Sequence, residues 1–344
     1  MRFDVFIAGT GAYLPKEESV ETAISQGRYN SRTAERTRQL AATVAEPEER
    51  AVDFAVSAAR QALLDSGHQP DDVALLLHAV TLDSGILGWN SASYIQRELG
   101  LGGCCFVSEI RNACAGGLTA VDFAASRLFA RPDLPAAVIT AADCWPATVI
   151  NRWQPGVSNI MGDGGGALVL SRTHGFARIL SLASHTDPQL EGATRGDERF
   201  DLLQARYPIN FGQRANEFLQ STMSEEELWT RTCAGIRAVV DQANTEAGLK
   251  LDEIDYVVYT FAPYDLMLRA CLEPLRLAVE RTTWDFGRRI GHIGAADVFV
   301  GYDHLARSGR LTVGSRALLI CAGAGFVWTA AIIETLRQPS SSLT

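Results

Sequence analysis

The sequence lacks the features that would place it on nucleic acid or in a membrane. It has no net positive charge, since 31 Lys and Arg face 40 Asp and Glu and leave a net charge of −9, so no basic field attracts phosphates. The longest uncharged run, 317–333, is interrupted at 323–325 by Gly-Ala-Gly, which predicts two short buried strands around a turn rather than a membrane span. The first residues, with an acid at Asp4 and a turn near Gly9, predict a strand and not a signal peptide. We expect a cytoplasmic protein with no nucleic-acid and no membrane partner.

Metal and cofactor motifs are also missing. The seven cysteines form no Cys-x-x-Cys pair and have no His/Cys ligand spacing, which indicates reduced thiols and argues against zinc. The glycine run at 162–166 is not followed by Lys-Ser or Lys-Thr, so it is not a phosphate loop. The Gly-Thr-Gly at 9–11 is too short for a dinucleotide fingerprint. We expect neither a metal nor a cofactor.

One pattern of helix and strand occurs twice. Residues 58–80 and 239–261 both predict a helix, a glycine stop, a short acidic turn and a buried strand. Asp72 in the first copy aligns with Glu253 in the second, and the offset between the copies is 181 positions. This repetition predicts an internal duplication.

A second pair of segments supports the duplication. The apolar strand at 136–140 recurs at 317–321 with the same offset. We therefore divide the chain into an N-terminal half at 1–174 and a C-terminal half at 175–344. Apolar strands that alternate with helices predict an α/β fold whose sheets are buried on both faces.

Two segments fall outside the repeat. Residues 181–231, which include Phe211, show little periodicity and many turn residues. In a compact fold such a segment is typical of a lid or a substrate wall. Residues 27–49 are polar and rich in arginine, which favours a surface insertion.

A strand-to-helix corner in the first half carries the first candidate catalytic residue. The run 103–110 predicts a buried strand and 118–129 a helix, so Cys114 lies on a tight turn of small residues. The unpaired N–H groups and partial positive charge of a helix N-terminus favour a thiolate. A buried cysteine that only fills the corner is an equal alternative from this stretch alone.

The corresponding corner of the second half carries His292. Pseudo-symmetry predicts that the two helix N-termini meet, so that His292 lies near Cys114 and acts as its base. Asp297, five residues later, would orient the imidazole. A packed or capping histidine is the alternative for His292, and the symmetric placement opposite Cys114 favours the catalytic interpretation. For Asp297 an ordinary first-turn acid, favoured by the helix dipole, stays open.

Three glycine-rich motifs accompany the duplication: Ala113-Cys-Ala-Gly-Gly117, Gly162-Asp-Gly-Gly-Gly166 and Gly323-Ala-Gly-Phe-Val-Trp328. Together they resemble the thiolase-fold ketosynthases of the type III class over essentially the whole chain. The resemblance implies a five-layer α-β-α-β-α fold, usually a homodimer, in which Cys114 takes the acyl group as a thioester. It also implies an oxyanion hole formed by the backbone N–H groups of Cys114 and Ala324.

Two positions depart from the condensing members of that class. Where they have the histidine of a Pro-His-Gln-Ala-Asn motif this chain has Tyr264, and where they have an asparagine it has His292. In the condensing enzymes that pair stabilises the enolate of a malonyl thioester, so its loss argues against decarboxylation. The altered pattern resembles the ketosynthase III-like acyltransferases of antibiotic and polyketide pathways, in which a histidine and an aspartate five positions later complete a Cys/His/Asp set.

The resemblance implies a ping-pong acyltransferase. It would move a malonyl, short acyl or aryl group from an acyl carrier protein or coenzyme A thioester, through a thioester on Cys114, to a hydroxyl, amine or thiol acceptor. We expect Trp89, Tyr264 and Phe211 to line the substrate pocket. Arg269 would dock acyl carrier protein, with a solvated helix arginine as the alternative. A decarboxylating β-ketoacyl-ACP synthase III and a catalytically silent partner subunit are the competing functions.

Overall fold

A computed structural model of the chain describes residues 4–82, 84–86, 88–156, 159–200 and 207–339. Its strands are β1 Phe6–Tyr13, β2 Glu17–Ser19, β3 Ala41–Thr43, β4 Val73–Ala79, β5 Phe106–Ile110, β6 Ala136–Asp143, β7 Gly164–Ser171, β8 Ala177–Thr186, β9 Tyr256–Tyr259, β10 Arg316–Gly323 and β11 Val327–Thr335. Its α-helices are α1 Val20–Ser25, α2 Ser31–Thr37, α3 Ala51–Ser66, α4 Ser91–Glu98, α5 Gly116–Ala130, α6 Gly192–Arg195, α7 Phe211–Ser221, α8 Glu225–Ala247, α9 Tyr264–Met267, α10 Glu273–Leu275, α11 Trp284–Gly287 and α12 Asp297–Arg307. A π-helical turn, Leu268–Leu272, joins α9 to α10, and short 3₁₀ turns occur at Pro70–Asp72, Pro188–Leu190, Leu251–Glu253, Val279–Arg281 and Gly294–Ala296.

The main sheet repeats one strand order in its two halves. The order is β5-β4-β6-β7-β1-β8-β11-β10-β9. In the first half β4 is parallel to β6, which is antiparallel to β7. In the second half β9 is parallel to β10, which is antiparallel to β11. β1 and β8 join the halves by pairing Phe6 with Arg178 and Ile7 with Ala177. The two halves therefore have the duplicated architecture that the sequence predicts.

Helices divide the core into layers. α3 and α4 pack on the outer face of the first half-sheet, and α8 packs on the outer face of the second. α5 and α12 lie between the two half-sheets, in a cluster with apolar residues from both. This α-β-α-β-α arrangement confirms the predicted fold class.

The turns before β4 and β9 show the duplication at the level of single hydrogen bonds. The carboxylate of Asp72 accepts the backbone N–H of Gln69 at 2.9 Å. The carboxylate of Glu253 accepts the backbone N–H of Lys250 at the same distance. Both acids thus close a capping box on a 3₁₀ turn, which is the alignment of Asp72 with Glu253 expected from the sequence.

The two middle-layer helices approach each other closely at their N-termini. A Cβ atom on Gly117 would lie 2.4 Å from the carbonyl oxygen of Ala295, so a larger residue would push α5 away from the turn that precedes α12. Because these N-termini meet, the residues just before α5 and α12 converge on one place.

β5 differs from the buried strand predicted at 103–110. Residues 103–105 form a turn, and regular pairing begins at Phe106. β5 is the edge strand of the sheet, and Phe106 is 50% exposed. An edge strand and a central strand have the same local apolar pattern, so the sequence alone did not distinguish them.

The prediction of a surface insertion at 27–49 is confirmed for its exposed arginines Arg32, Arg36 and Arg38 but is wrong for the buried strand within it. This segment contains α2 and β3, and the three residues of β3 are buried. The hydroxyl of Thr43 donates to the carbonyl oxygen of Asp163 at 2.6 Å. Its arginines hid a short strand that packs against the second glycine-rich motif.

The segment at 181–231 is more regular than its sequence indicated. It contains the end of β8, then α6 and α7, and α8 begins at Glu225.

No helix in the described ranges combines the length and apolarity of a membrane span. In the same ranges no three His, Cys, Asp or Glu side chains group as metal ligands would.

Candidate active site

Cys114 lies on the turn between β5 and α5. The turn is tight, because the N–H of Ala115 donates to the carbonyl oxygen of Asn112 at 3.1 Å and the N–H of Gly116 donates to that of Ala113 at 3.0 Å. Ala113 has a φ of 45°, a conformation that residues with a Cβ rarely adopt. Such strain concentrates at functional sites. Alanine is not typical of positive φ, so nothing in the sequence indicated this feature.

His292 precedes α12 and is held against the first half by backbone hydrogen bonds. Its N–H donates to the carbonyl oxygen of Ile160 at 2.8 Å, and its carbonyl oxygen accepts the N–H of Gly162 at 2.9 Å. The His292 side chain is buried. Asp297, the first residue of α12, is also buried.

These three side chains form one continuous chain of contacts. Nε2 of His292 lies 3.0 Å from Sγ of Cys114, and Nδ1 lies 2.7 Å from Oδ2 of Asp297. Asp297 also accepts the N–H of Ile293 on Oδ1 at 2.8 Å and the N–H of Phe261 on Oδ2 at 2.7 Å. The carboxylate is therefore fixed on both oxygens, and the imidazole bridges it to the thiol.

The surroundings of His292 favour its protonated form. Burial by itself lowers the pKa of His292, but the Asp297 charge and the Cys114 sulfur, with the hydrogen bonds to both, raise that pKa well above its ordinary value. A protonated imidazole beside Sγ stabilises a thiolate. The arrangement is thus suited to a thiolate–imidazolium pair.

The loop after β10 packs on the cysteine turn. A Cβ atom on Gly323 would lie 2.9 Å from the backbone nitrogen of Ala115, so the two backbones are in close contact. Within the described residues, no acceptor takes the backbone N–H of Cys114 or of Ala324. Phe326, two residues on, has a φ of 28°. Two backbone donors on facing strained turns are suited to holding an oxyanion.

Asp143 is a site-supporting residue that sequence reasoning missed. It ends β6, is buried, and accepts the N–H groups of Thr81, Leu82 and Ala295 at 2.9, 3.2 and 3.1 Å. Burial is the largest influence on its pKa and raises it to about 6, against these hydrogen bonds. Gly294 has a φ of 64°, and a Cβ there would lie 2.1 Å from Oδ2 of Asp143. The carboxylate thus ties the 81–82 loop to the turn between His292 and Asp297.

A cavity of about 650 Å³ opens at Cys114 and His292. Its walls combine residues of both halves: from the N-terminal half Arg36, Thr81, Trp145, Asn159 and Met161, and from the C-terminal half Ala193, Thr194, Phe211, Ala215, Glu225, Leu228, Trp229, Thr232, Tyr259, Thr260, Ala262, Asp265, Leu266, Arg269, Ala270, Ala322, Gly323, Ala324, Phe326 and Trp328. The segment at 181–231 supplies part of the cavity wall, and Phe211 is among its lining residues. Their contact with a substrate stays a prediction.

Trp89 and Tyr264 are not among the described residues that line this cavity in the single chain, so their place in the substrate pocket stays a prediction. Trp89 packs edge-on against Tyr94, with ring centroids 5.8 Å apart. Tyr264 packs edge-on against Trp284 at 5.2 Å and is covered by the guanidinium of Arg38 at 4.1 Å. Arg38 comes from a segment remote in sequence, so this contact joins α9 to the region of α2.

Arg269 lies on the cavity wall and is about half exposed. Its guanidinium covers the Trp229 ring at 4.0 Å and lies 3.4 Å from Oε1 of Glu225. Arg269 is therefore held in place beside the opening, and its predicted docking role stays a prediction.

Comparison with known proteins places both halves in one family. The chain matches two models of 3-oxoacyl-[acyl-carrier-protein] synthase III, one over residues 108–188 and the C-terminal one over residues 245–335. It is 29% identical over 339 residues to the β-ketoacyl-[acyl-carrier-protein] synthase III of Sodalis glossinidius, covering 95% of this chain and 98% of that protein. The synthase III of Methylococcus capsulatus is 26% identical with the same coverage.

Solved structures agree over nearly the full length. ChlB3, described as an acyltransferase, is 35% identical, with a TM-score of 0.91 and coverage of 98% of this chain and 99% of ChlB3. The 3-oxoacyl-[acyl-carrier-protein] synthase III of Aquifex aeolicus is 21% identical, with a TM-score of 0.79 and coverage of 96% and 99%. The second similarity shows the shared fold.

Proposed function

The chain belongs to the ketosynthase III-like family of thiolase-fold enzymes that transfer acyl groups, and we propose that it is an acyltransferase that does not extend the acyl chain. It takes the acyl group from a carrier-protein or coenzyme A thioester onto Cys114 and passes it to a hydroxyl, amine or thiol acceptor. The proposed setting is natural-product biosynthesis of the polyketide or antibiotic type, and the proposed chemistry uses no cofactor.

One observation carries this proposal: the imidazole of His292 joins Cys114 to Asp297, at 3.0 Å from Sγ and 2.7 Å from the carboxylate. A base that an acid orients, beside a nucleophile, is the arrangement that covalent acyl transfer requires.

The first half-reaction is the acylation of Cys114. The thiolate attacks the carbonyl carbon of the donor thioester, and the N–H groups of Cys114 and Ala324 hold the oxyanion that forms. The intermediate collapses by breaking the bond from carbon to the donor sulfur. His292 gives its proton to the leaving thiol and is left neutral.

The second half-reaction returns the site to its starting state. Neutral His292 takes the proton of the acceptor, whose oxygen, nitrogen or sulfur attacks the thioester carbonyl on Cys114. Collapse breaks the bond to Sγ and releases the acylated acceptor. The Cys114 thiolate and the His292 imidazolium re-form together, and Asp297 stabilises the positive charge throughout.

The position of Tyr264 argues against decarboxylative condensation. The condensing relatives need a second neutral donor beside the cysteine, and here the residue at that place packs on Trp284 and Arg38 instead. In the proposed mechanism His292 acts as a base on the acylated protein and accepts the proton of the acceptor, whereas condensation needs a neutral donor at this position. The competing function is that of a β-ketoacyl-[acyl-carrier-protein] synthase III, the name that the relatives carry, and experiment must test it.

The edge of the sheet supports a homodimer. Among the described strands β5 has a neighbour on one side only. The large apolar side chains of Ile86, Phe106 and Phe123 are each at least half exposed. Exposed edge strands pair readily with a second copy. We propose that two copies join at β5, which size-exclusion chromatography of the wild type and of Phe106→Asp would test by loss of the dimer in the variant.

Intact-protein mass spectrometry tests the proposed transfer. We expect Cys114 to gain the acyl mass when the protein is incubated with acyl pantetheine thioesters, and Cys114→Ala to gain none. Cys104→Ala is a matched control, because Cys104 is exposed and outside the cavity. Absence of an acyl mass with every thioester would refute the covalent mechanism.

A second measurement separates transfer from condensation. Acylated protein is mixed with malonyl carrier protein, and carbon dioxide and ketoacyl product are measured. We expect neither, together with loss of the acyl mass to a nucleophilic acceptor. Release of carbon dioxide with formation of a ketoacyl product would establish the synthase function instead.

A further inference from the structure

The cavity is charged at its opening and apolar at its buried end. Its charged side chains other than His292 are Arg36, Glu225, Asp265 and Arg269, which are about one-third to two-thirds exposed. The wall residues Trp145, Met161, Tyr259, Ala270 and Trp328 are almost wholly buried. The charges therefore lie where solvent enters, and the interior surface is mainly hydrocarbon and aromatic, with the uncharged hydroxyls of Thr232 and Thr260 among its buried wall residues.

The two arginines at the opening are already neutralised. Arg36 forms a salt bridge with Asp265, which itself lines the cavity. Arg269 pairs with Glu225 at 3.4 Å. A carboxylate that entered here would meet two acids as well as two bases, so the opening offers no net attraction for it.

The acyl group is attached beside the apolar end. Cys114 bonds it, and His292 is buried with its ring facing that of Trp145, at 6.4 Å between centroids and an angle of 27°. The imidazole of His292 is already paired with the carboxylate of Asp297 at 2.7 Å. Among the described wall residues no other base lies near this end. A carboxylate on the acyl group would find the neutral donors Thr81 Oγ1 and Trp145 Nε1 in this wall, but no unpaired cation. Burial of a charge without an opposite charge is strongly unfavourable.

The volume of the cavity indicates the size of the acyl group that fills it. A space of about 650 Å³ holds about 20 water molecules at about 30 Å³ each. Acetyl and malonyl groups have only a few heavy atoms and would leave most of the apolar wall uncovered. A larger apolar group covers more of it, and each buried methylene improves binding about fourfold.

We infer that this cavity selects an uncharged, apolar acyl group larger than acetyl and rejects acyl groups that end in a carboxylate, such as malonyl. The inference rests on the proposed function, because it concerns the group that Cys114 accepts. It narrows the donor to thioesters of monocarboxylic acids.

Matched thioesters test the inference. Acetyl, hexanoyl, malonyl and malonyl methyl ester thioesters of one thiol, N-acetylcysteamine, are compared by the initial rate of mass gain on Cys114. We expect hexanoyl to react at least about tenfold faster than acetyl. We expect malonyl to react at least about a hundredfold slower than its methyl ester, which has the same chain without the charge.

Failure of the inference differs from failure of the function. Malonyl that acylates as fast as its methyl ester, or acetyl as fast as hexanoyl, overturns the inference while Cys114 still gains acyl mass. If none of the four thioesters acylates Cys114 while iodoacetamide alkylates it, the proposed function falls as well.

A pair of variants places the selection in the cavity. Ala215, on α7, lines the cavity, and Ala247, at the end of α8, lies outside it. We expect Ala215→Leu to lower the ratio of the hexanoyl rate to the acetyl rate at least about threefold, because it removes space. Ala247→Leu should leave the ratio unchanged. An unchanged ratio in Ala215→Leu would overturn the assignment of the acyl group to this cavity.

Discussion

Replacing Asp297 by asparagine separates the charge of this residue from its geometry. The carboxylate accepts three hydrogen bonds, from His292 and Phe261 on Oδ2 and from Ile293 on Oδ1. An amide has a single acceptor oxygen. With the amide oxygen at the Oδ2 position, the bonds from His292 and Phe261 are kept. With the amide oxygen at the Oδ1 position, only the bond from Ile293 is kept. We therefore expect the amide of the Asp297→Asn variant to hold His292 in the same tautomer but without a negative charge.

The expected loss of rate follows from that charge. A hydrogen bond to a charged group contributes about 1.5–3 kcal/mol, which corresponds to a factor of about 10 to 150. Burial lowers the pKa of His292, and Asp297 is the largest influence that raises it. Without the charge, less imidazolium is present to stabilise the thiolate. We expect acyl transfer in Asp297→Asn to slow by about 10- to 150-fold, and by less than in His292→Ala.

Single-turnover transfer, followed by mass spectrometry, measures this effect. Asp303→Asn is the matched control, because Asp303 is a buried acid on the same helix that pairs with Thr10 and Arg307, outside the cavity. The unfolding free energy of the Asp303→Asn variant should fall, because this variant also loses charged hydrogen bonds. Its rate of acyl transfer should stay at that of the wild type. Wild-type transfer in Asp297→Asn would refute the role of the charge. A loss as large as that of His292→Ala would refute the preserved geometry.

Three further predictions concern titration and backbone fit. His292→Ala should slow alkylation of Cys114 by iodoacetamide about 10- to 100-fold at pH 6.5, where the raised pKa of His292 keeps the wild-type imidazole protonated. The difference between the two rates should shrink near pH 8.5, where a free thiol ionises by itself. Equal rates at pH 6.5 would contradict the pairing of Cys114 with His292. The pKa of Asp143 is about 6 in the folded state and about 3.9 in an unfolded chain, so its stabilising contribution is present at low pH and is lost as pH rises through 6. Urea unfolding should show the wild type gaining about 1.4 kcal/mol relative to Asp143→Asn between pH 7.5 and 5, and a pH-independent difference would show that Asp143 does not titrate there. Gly294→Ala should lower the unfolding free energy by about 2–4 kcal/mol, because a Cβ would meet Oδ2 of Asp143 at a residue with positive φ, and a loss below about 0.5 kcal/mol in the same assay would contradict the close approach.

The duplication made the fold and the three central residues predictable. The repeated order of helices and strands placed Cys114 and His292 on corresponding strand-to-helix corners, and the structure brings their side chains to 3.0 Å. That argument works because pseudo-symmetry is a property of the whole chain that the sequence records directly. It needs no knowledge of individual side-chain conformations.

The features that were missed depend on contacts between remote segments. Tyr264 was expected in the pocket because of its place in a motif, and that motif carries no sign of its packing on Arg38 and Trp284. β3 was hidden in an arginine-rich stretch because its burial comes from the second glycine-rich motif. Asp143 resembled any acid at a strand end until its three backbone donors were located. In each case the decisive partner lies far away in the sequence, where local patterns carry no information.

The candidate site lies at the seam between the two halves. The proposed nucleophile and one proposed oxyanion donor, both from Cys114, lie in the first half, and the proposed base His292, acid Asp297 and second donor Ala324 lie in the second. Gly117 against Ala295 and Gly323 against Ala115 hold the two halves in backbone contact. The positive φ angles of Ala113 and Phe326 lie in the same two turns, and strain of this kind persists where the surrounding structure over-determines it. Under the proposed function, Tyr264 and His292 change the reaction through their side chains, while the backbone contacts around Cys114 need no change. Passing an acyl group on and extending it would then be two uses of one scaffold.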